Sequence, residues 1–204
     1  MPKNEEDQGL RDAVCLASGG LDSNTCLYLL KQHGLEPLPL FIDYGQINAE
    51  REFQSLNKAC GDLSLGEPMR MDFSSFGHHV KSGLTDRSLH ISKDAFTPCR
   101  NLFFIVSAAA VASSRGINKI VIGLLSEETI IFPDQSDKFL NAAGVAIEAA
   151  LGVRMDILTP LRDYRKSDVL RLASQLGVKS YYSCHAGTVP PCGECIACKE
   201  YEEV

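Results

Sequence analysis

Ala13-Val14-Cys15-Leu16-Ala17 runs directly into Ser18-Gly19-Gly20-Leu21-Asp22-Ser23, and a helical pattern opens at Asp22 and continues to Gln32. A strand, a glycine turn and a helix start, in that order, build a cradle for a pyrophosphate. Glycines at 19 and 20 carry no Cβ, so their backbone N–H groups can approach a phosphate, and the first helical turn adds unpaired donors at its positive end. Ser18 and Ser23 add hydroxyl donors. Asp22 makes chemical sense among anion-binding groups if it holds a divalent cation or orients the loop backbone. The competing reading of these six residues is a tight strand-to-helix turn with Asp22-Ser23 as an N-cap. Neither the P-loop nor the dinucleotide fingerprint fits them.

Along the whole chain, short apolar runs at 13–17, 37–43, 68–71, 119–123 and 155–158 alternate with helical patterns at 22–32, 48–60, 100–114, 136–151 and 166–176. The alternation predicts an α/β fold, a parallel sheet with helices on both faces. Such sheets bind ligands at the carboxyl ends of their strands, where the 18–23 loop falls. Residues 72–99 show no periodicity and carry Gly77, Gly83 and the pair His78-His79. A loop of that length reads as either disordered or a lid, and exposed loop histidines are more often idle than functional.

The chain has 204 residues, a net charge of −6 and no cluster of Lys and Arg that would track a nucleic-acid backbone. No apolar run reaches the length of a membrane span, and Met1 to Asp12 is polar, so a cytoplasmic protein is expected. Eight cysteines are many for that compartment, and four fall together as Cys184-x7-Cys192-x2-Cys195-x2-Cys198. That spacing is a strong signal for a four-thiolate metal knuckle, best suited to structural zinc, with an iron–sulfur cluster as the rival. His185 could substitute as a ligand. Cys15, Cys26 and Cys60 read as core residues, and Cys99 as a solitary thiol near the site.

Four further stretches fall at strand ends or helix starts. Asp43-Tyr44-Gly45-Gln46 closes the second strand, where it could frame a base or ribose or simply end the strand. Arg100 and Asn101 open a nearly all-apolar helix, and an arginine at that positive end suits a bound anion or carboxylate as well as solvent. In Phe132-Pro133-Asp134-Gln135, Asp134 is either a cap or an acceptor for a guanine-type N–H edge. Lys166, after Thr159-Pro160-Leu161, could reach phosphates as a point charge.

Together these pieces resemble the 7-cyano-7-deazaguanine synthase family of the ATP pyrophosphatase (PP-loop) superfamily, from about Asp12 to Cys198 and in the same order. The resemblance implies a Rossmann-like fold of the adenine nucleotide alpha hydrolase type. It implies a nucleotide-binding domain over 1–178, with the lid at 72–99, and a zinc-binding segment over 179–204. It implies ATP, Mg²⁺ and structural zinc, with 7-carboxy-7-deazaguanine activated as an adenylate, aminated by ammonia, and activated again to a nitrile. ATP would lie along Leu16, Ala17, Ser18, Gly19, Gly20, Leu21, Asp22, Ser23, Asp43, Tyr44, Gly123 and Lys166. The heterocycle would lie against Tyr44, Gln46, Arg100, Asn101, Phe132 and Asp134. Ser18, Asp22, Ser23, Arg100 and Lys166 would stabilise the charge that develops, and Cys184, Cys192, Cys195 and Cys198 would hold the zinc. A homodimer is also implied.

The chain departs from the family in a short middle loop, in the tail Lys199 to Val204, which is acidic where a basic residue is usual, and at one further stretch. Where members commonly carry Tyr-Pro-Asp-Cys-Arg, it has Phe132-Pro133-Asp134-Gln135-Ser136, preceded by Glu128 and Ile131, so the Cys and Arg are absent. Lys138 is a candidate substitute, although two residues on it points from another helix face. The departure opens an alternative, a diverged enzyme that passes an activated deazapurine acid to an amine on a protein or nucleic acid. A third reading, a non-catalytic knuckle that binds RNA or a protein, conflicts with the acidic balance and the intact 18–23 loop.

Overall fold

The computed structural model describes residues 11–202. Most of the polar 1–12 stretch, and the last two residues of the acidic 199–204 tail, lie outside the described residues. The chain runs β1 (Ala13–Leu16), α1 (Leu21–Gln32), β2 (Pro37–Asp43), α2 (Ala49–Asp62), β3 (Met69–Asp72), α3 (Ser75–His79), α4 (Arg100–Ser114), β4 (Lys119–Val121), α5 (Asp137–Leu151), β5 (Asp156–Leu158), α6 (Lys166–Leu176) and α7 (Ile196–Glu202). All strand pairs are parallel and the order is β3-β2-β1-β4-β5. The order reverses direction between β1 and β4, which opens a crevice at their carboxyl ends.

Side-chain alternation explains why both faces are covered. Val14, Leu16, Leu40, Ile42 and Ile120 point to one face, where Ile105, Ala108 and Ala112 of α4 and Ile147 of α5 meet them. Ala13, Cys15, Phe41 and Val121 point to the other, against Leu21 and Leu27 of α1, Leu56 of α2 and Val169 of α6. Each fully buried Leu or Phe of this kind contributes roughly 1.5–3 kcal/mol over an exposed one. Cys15, Cys26 and Cys60 are buried in the second layer, as expected of core cysteines. Alanines on the sheet side of α4 let its backbone approach β1 and β4 closely.

The 72–99 segment contains α3 and a series of turns. Ser82 Oγ and Thr97 Oγ1 are 2.7 Å apart, Gly83 N donates to Asp94 O at 2.7 Å, and Leu84 O accepts from Ile47 N at 2.9 Å. Ser82, Leu84, Ala95 and Thr97 are buried, whereas His78 and His79 are exposed at the end of α3. Among the described residues no helix is long and apolar enough to cross a membrane.

Candidate active site

The crevice at the switch point is a cleft of about 300 Å³, floored by Leu16, Ala17 and Ile42 and walled by Ser18, Asp22, Ser23, Tyr44, Gln46, Arg100 and Asn101. A second cleft of about 610 Å³, lined by Ser126, Thr129, Arg165 and Ser167, adjoins it. The two share Asp22, Gly123, Gln135, Lys166 and Glu200 at their junction.

The 18–23 loop folds as its residue types require, but its two glycines do different work. Gly19 has φ +80°, and a Cβ there would stand 2.1 Å from Glu52 O on α2. Its carbonyl accepts from Ser55 Oγ at 2.9 Å, Asn24 Nδ2 at 3.3 Å and Tyr182 N at 2.9 Å. Gly19 therefore serves close packing at the back of the loop, and it does not line the cleft. Gly20 does line it. Ser23 Oγ accepts from Ser18 N at 3.1 Å and donates to Gly20 O at 3.2 Å, so the two serines fasten the turn.

At the junction Lys166 Nζ sits 2.9 and 3.0 Å from the two Asp22 oxygens and 3.1 Å from Glu200 Oε2, over the ring of Tyr201. Burial disfavours the ammonium, but the carboxylates of Asp22 and Glu200 outweigh it and lift Lys166 above the usual lysine range. Its charge is fixed at any ordinary pH.

On the opposite wall Arg100 Nη1 donates to Tyr44 Oη at 3.4 Å, and the guanidinium lies over the rings of Tyr44 and Phe104. Its Nε is buried without a partner among the described residues. Glu52 also lines the cleft, where Oε1 accepts from Asn48 Nδ2 at 3.0 Å and Oε2 from Gln46 Nε2 at 3.1 Å. Burial pushes its carboxyl up to about 7, only partly opposed by those two amides and Arg100. His185 lines the same cleft with Nδ1 buried and unpartnered. Burial, then Arg100 and Lys166, hold its ring down to about 4, hence neutral at pH 7.

Neither Glu52 nor the cleft-facing role of His185 was legible in sequence. Glu52 belongs to a charged helical turn that reads as solvated, and His185 reads as part of the cysteine knuckle. The one available signal for Glu52 is its place six residues after Gln46, within reach of the strand-end turn.

Two expected contacts lie elsewhere. Asp43 turns from the cleft to accept from Arg70 Nη2 at 2.7 Å and Gly45 N at 3.0 Å. Asp134 Oδ2 accepts from Asn101 N at 3.2 Å and its carbonyl from Asn101 Nδ2 at 2.9 Å. The Pro133–Gln135 turn thus carries Asp134 onto the start of α4, while Ser136 caps α5 through Phe139 N. Phe132 does line the cleft and packs against Phe96, with ring centroids 5.2 Å apart.

The absent Cys and Arg leave no gap. Gln135 Oε1 accepts from Ile131 N and Phe132 N, both at 2.9 Å, closing the turn on itself. Lys138 is exposed and lines neither cleft, and so does not replace the arginine. Arg162 is the cation that meets this turn. Nη1 donates to Leu125 O at 2.8 Å and Gln135 O at 3.0 Å, and Nε to Asp137 Oδ1 at 2.7 Å.

The sulfurs of Cys184, Cys192, Cys195 and Cys198 all lie within 4.8 Å of one another, with Cys192 and Cys198 3.9 Å apart. Tetrahedral zinc with Zn–S near ~2.3 Å needs S···S edges of about 3.8 Å, so the four thiols fit zinc with small adjustment. Backbone N–H groups of His185, Cys192, Cys195 and Cys198 point at the sulfurs, as suits thiolates. The knuckle segment is tied to the 18–23 loop and the starts of α1 and α2. Besides the Tyr182–Gly19 bond, Asn24 Nδ2 donates to Ser180 O at 2.8 Å and Asn48 Nδ2 to Cys184 O at 3.2 Å. Cys99 is exposed and lines neither cleft.

Solved structures share the fold. One is a predicted subunit of tRNA methyltransferase from Methanocaldococcus jannaschii (16% identity, 81% of this chain and 75% of that one, TM-score 0.54). Another is a 4-thiouridine synthetase in complex with RNA and bound ATP (18% identity, 82% and 41%, TM-score 0.51). At the sequence level the chain is 32% identical to the 7-cyano-7-deazaguanine synthase of Campylobacter fetus, over 93% of this chain and 90% of that protein. It is 31% identical to the synthase of the same name from Nitratiruptor, over 92% and 90%. The profile of the family described as "Queuosine biosynthesis protein QueC" matches residues 12–203. With the glycine loop, the junction lysine and the thiol knuckle all in place, the chain belongs to the QueC family and is an enzyme.

Proposed function

We propose that the main cleft brings ATP and 7-carboxy-7-deazaguanine together and converts the acid, with ammonia, to 7-cyano-7-deazaguanine through an adenylated carboxylate. The observation that carries this reading is that Ser18, Gly20, Asp22, Ser23 and Lys166, suited to the nucleotide's phosphates, line one cleft with Gln46, Arg100 and Asn101, suited to the heterocyclic acid.

In the first activation a carboxylate oxygen attacks the α-phosphorus and pyrophosphate leaves. Negative charge builds on the departing group, and fixed N–H donors of the Ser18–Ser23 loop with the Lys166 ammonium are set to stabilise it. Mg²⁺, held by Asp22 and the phosphates, would neutralise further charge. Ammonia then displaces AMP to give the amide. In the second activation the amide oxygen attacks the α-phosphorus of another ATP, pyrophosphate leaves, and loss of AMP and the two amide protons leaves the nitrile. No nucleophilic side chain is needed, because ATP supplies both leaving groups. Leu16, Ala17, Leu21 and Tyr44 would border the nucleotide, with Gly19 and Asp43 shaping the loop and strand end from behind. Tyr44, Gln46, Arg100, Asn101 and Phe132 would hold the heterocycle, with Asp134 acting through the start of α4. Cys184, Cys192, Cys195 and Cys198 would hold zinc as a brace for the loop, since a closed four-thiolate set offers no open position. A cytoplasmic homodimer completes the reading.

Incubation with Mg-ATP, the acid and ammonium, followed by mass spectrometry, tests it. Nitrile with AMP is the expected result. AMP without nitrile, appearing only when a protein or nucleic-acid amine is added, would replace this reading with the diverged transferase.

A further inference from the structure

Three carboxylates line the main cleft, and two of them, Asp22 and Glu200, share Lys166. The third, Glu52, makes no ion pair among the described residues. It is held instead by neutral donors, one on each oxygen, from Asn48 and Gln46. Both donors are fixed in turn. Gln46 Oε1 accepts from Tyr44 N at 2.9 Å, and Asn48 Nδ2 also donates to Cys184 O.

A carboxylate offers about four lone-pair positions, so each Glu52 oxygen keeps one for a ligand. Two acceptors side by side, in a fixed orientation and facing a partly apolar cleft with Ile42, Leu84 and Phe104, fit two adjacent N–H donors on the edge of a flat heterocycle. Lactam N–H and exocyclic amine of a guanine-type ring form such an edge. Opposite chemistry stands nearby in Arg100, whose buried Nε lacks an acceptor and suits the neighbouring ring carbonyl or carboxylate. Asp134, the other candidate for this edge, is engaged with Asn101 and does not line the cleft.

We propose that Glu52 is the specificity-determining residue of the cleft, accepting the paired N–H donors of the 2-amino-lactam edge of the heterocyclic acid. The assignment rests on the proposed activation of a deazaguanine acid. Burial of the carboxylate without a cation supports it, because a ligand offering two donors restores what desolvation removes.

The test compares binding of 7-carboxy-7-deazaguanine and its 2-deamino analogue to the full-length wild type and to Glu52→Gln, with Mg-ATP affinity measured alongside. Wild type is expected to prefer the 2-amino compound by about 10–100-fold, the range of charge-assisted hydrogen bonds. Glu52→Gln is expected to bring the two compounds within about threefold of each other while Mg-ATP binds as before. Retention of the wild-type preference overturns the assignment and leaves the activation reading standing. An equal loss of both compounds and of Mg-ATP also overturns it, by assigning Glu52 to the fold or the nucleotide. Wild type that binds neither heterocycle overturns the activation reading itself.

Discussion

Lys166 Nζ lies 2.9 Å from Asp22 Oδ1, so residues 144 positions apart form one ion pair where the two clefts meet. The pair joins the start of α6 to the start of α1, and α1 and α6 pack side by side against the sheet. Parallel topology makes this possible, because both helices begin at the carboxyl edge. Asp22 and Glu200 neutralise Lys166, so no bare cation is left half-buried, and under the proposed activation a triphosphate would offer the lysine new anionic partners.

Asp22→Ala is expected to abolish ATP turnover without unfolding the chain, because Lys166 keeps Glu200 at 3.1 Å and no core volume is lost. Lys166→Met should lower kcat by about 10²–10³-fold, as loss of a preorganised charge donor does elsewhere. Thermal melts beside steady-state rates check both, and normal turnover in Asp22→Ala contradicts the pyrophosphate assignment.

Glycines 19 and 20 should separate stability from binding. Gly19→Ala forces a Cβ into α2 at positive φ, a combined cost of about 3 kcal/mol. At this chain length that lowers Tm by roughly 6–12 °C. In Gly20→Ala the new Cβ meets Ser18 Oγ at 3.2 Å, with Tyr182 O at 3.8 Å and Ser183 Oγ at 3.9 Å in ordinary contact, and the backbone is in the extended region, so Tm holds while ATP affinity falls.

Cys195→Ser should lose bound zinc and thermal stability together, since a closed thiolate site contributes folding free energy. Because the knuckle donates Tyr182 N to Gly19 O, ATP affinity should fall with it. Metal analysis of the purified variant is the check; full zinc content means that the ligand set is wrong.

Burial raises Glu52 from its ordinary 4.5 to about 7. The folded chain therefore holds a proton that the unfolded chain has released between those values, and stability falls as pH rises through that window. Glu52→Gln should melt higher than wild type at pH 8 and converge with it below pH 5. An identical gap at both pH values contradicts the shifted carboxyl.

Much of the architecture could be read from the sequence, because parallel strands buried on both faces are short apolar runs and their helices carry one apolar stripe. Bounds for β2, α4 and α6 match those read from the pattern. The first strand ends one residue earlier than its apolar run, and β4 two residues earlier, since backbone at the strand ends turns into the cleft loops. Helices α3 and α7 carry too few residues for a period to show.

Site residues were legible where chemistry is local, as in the 18–23 loop and the cysteine spacing. They were obscured where the fold decides. Asp134 sits in a stretch that reads as a base contact, yet a three-residue turn delivers it to Asn101. Arg162, only 15% exposed, gives no sign in sequence that it gathers the carbonyls of Leu125 and Gln135 from segments far along the chain.

Isotope transfer tests the proposed adenylation of the carboxylate most directly. With 7-carboxy-7-deazaguanine labelled with oxygen-18 in both carboxylate oxygens, each activation must carry one label into AMP. Nitrile formed with two AMP molecules, each bearing one oxygen-18, is the expected result. Unlabelled AMP, or ADP in its place, would contradict adenylation.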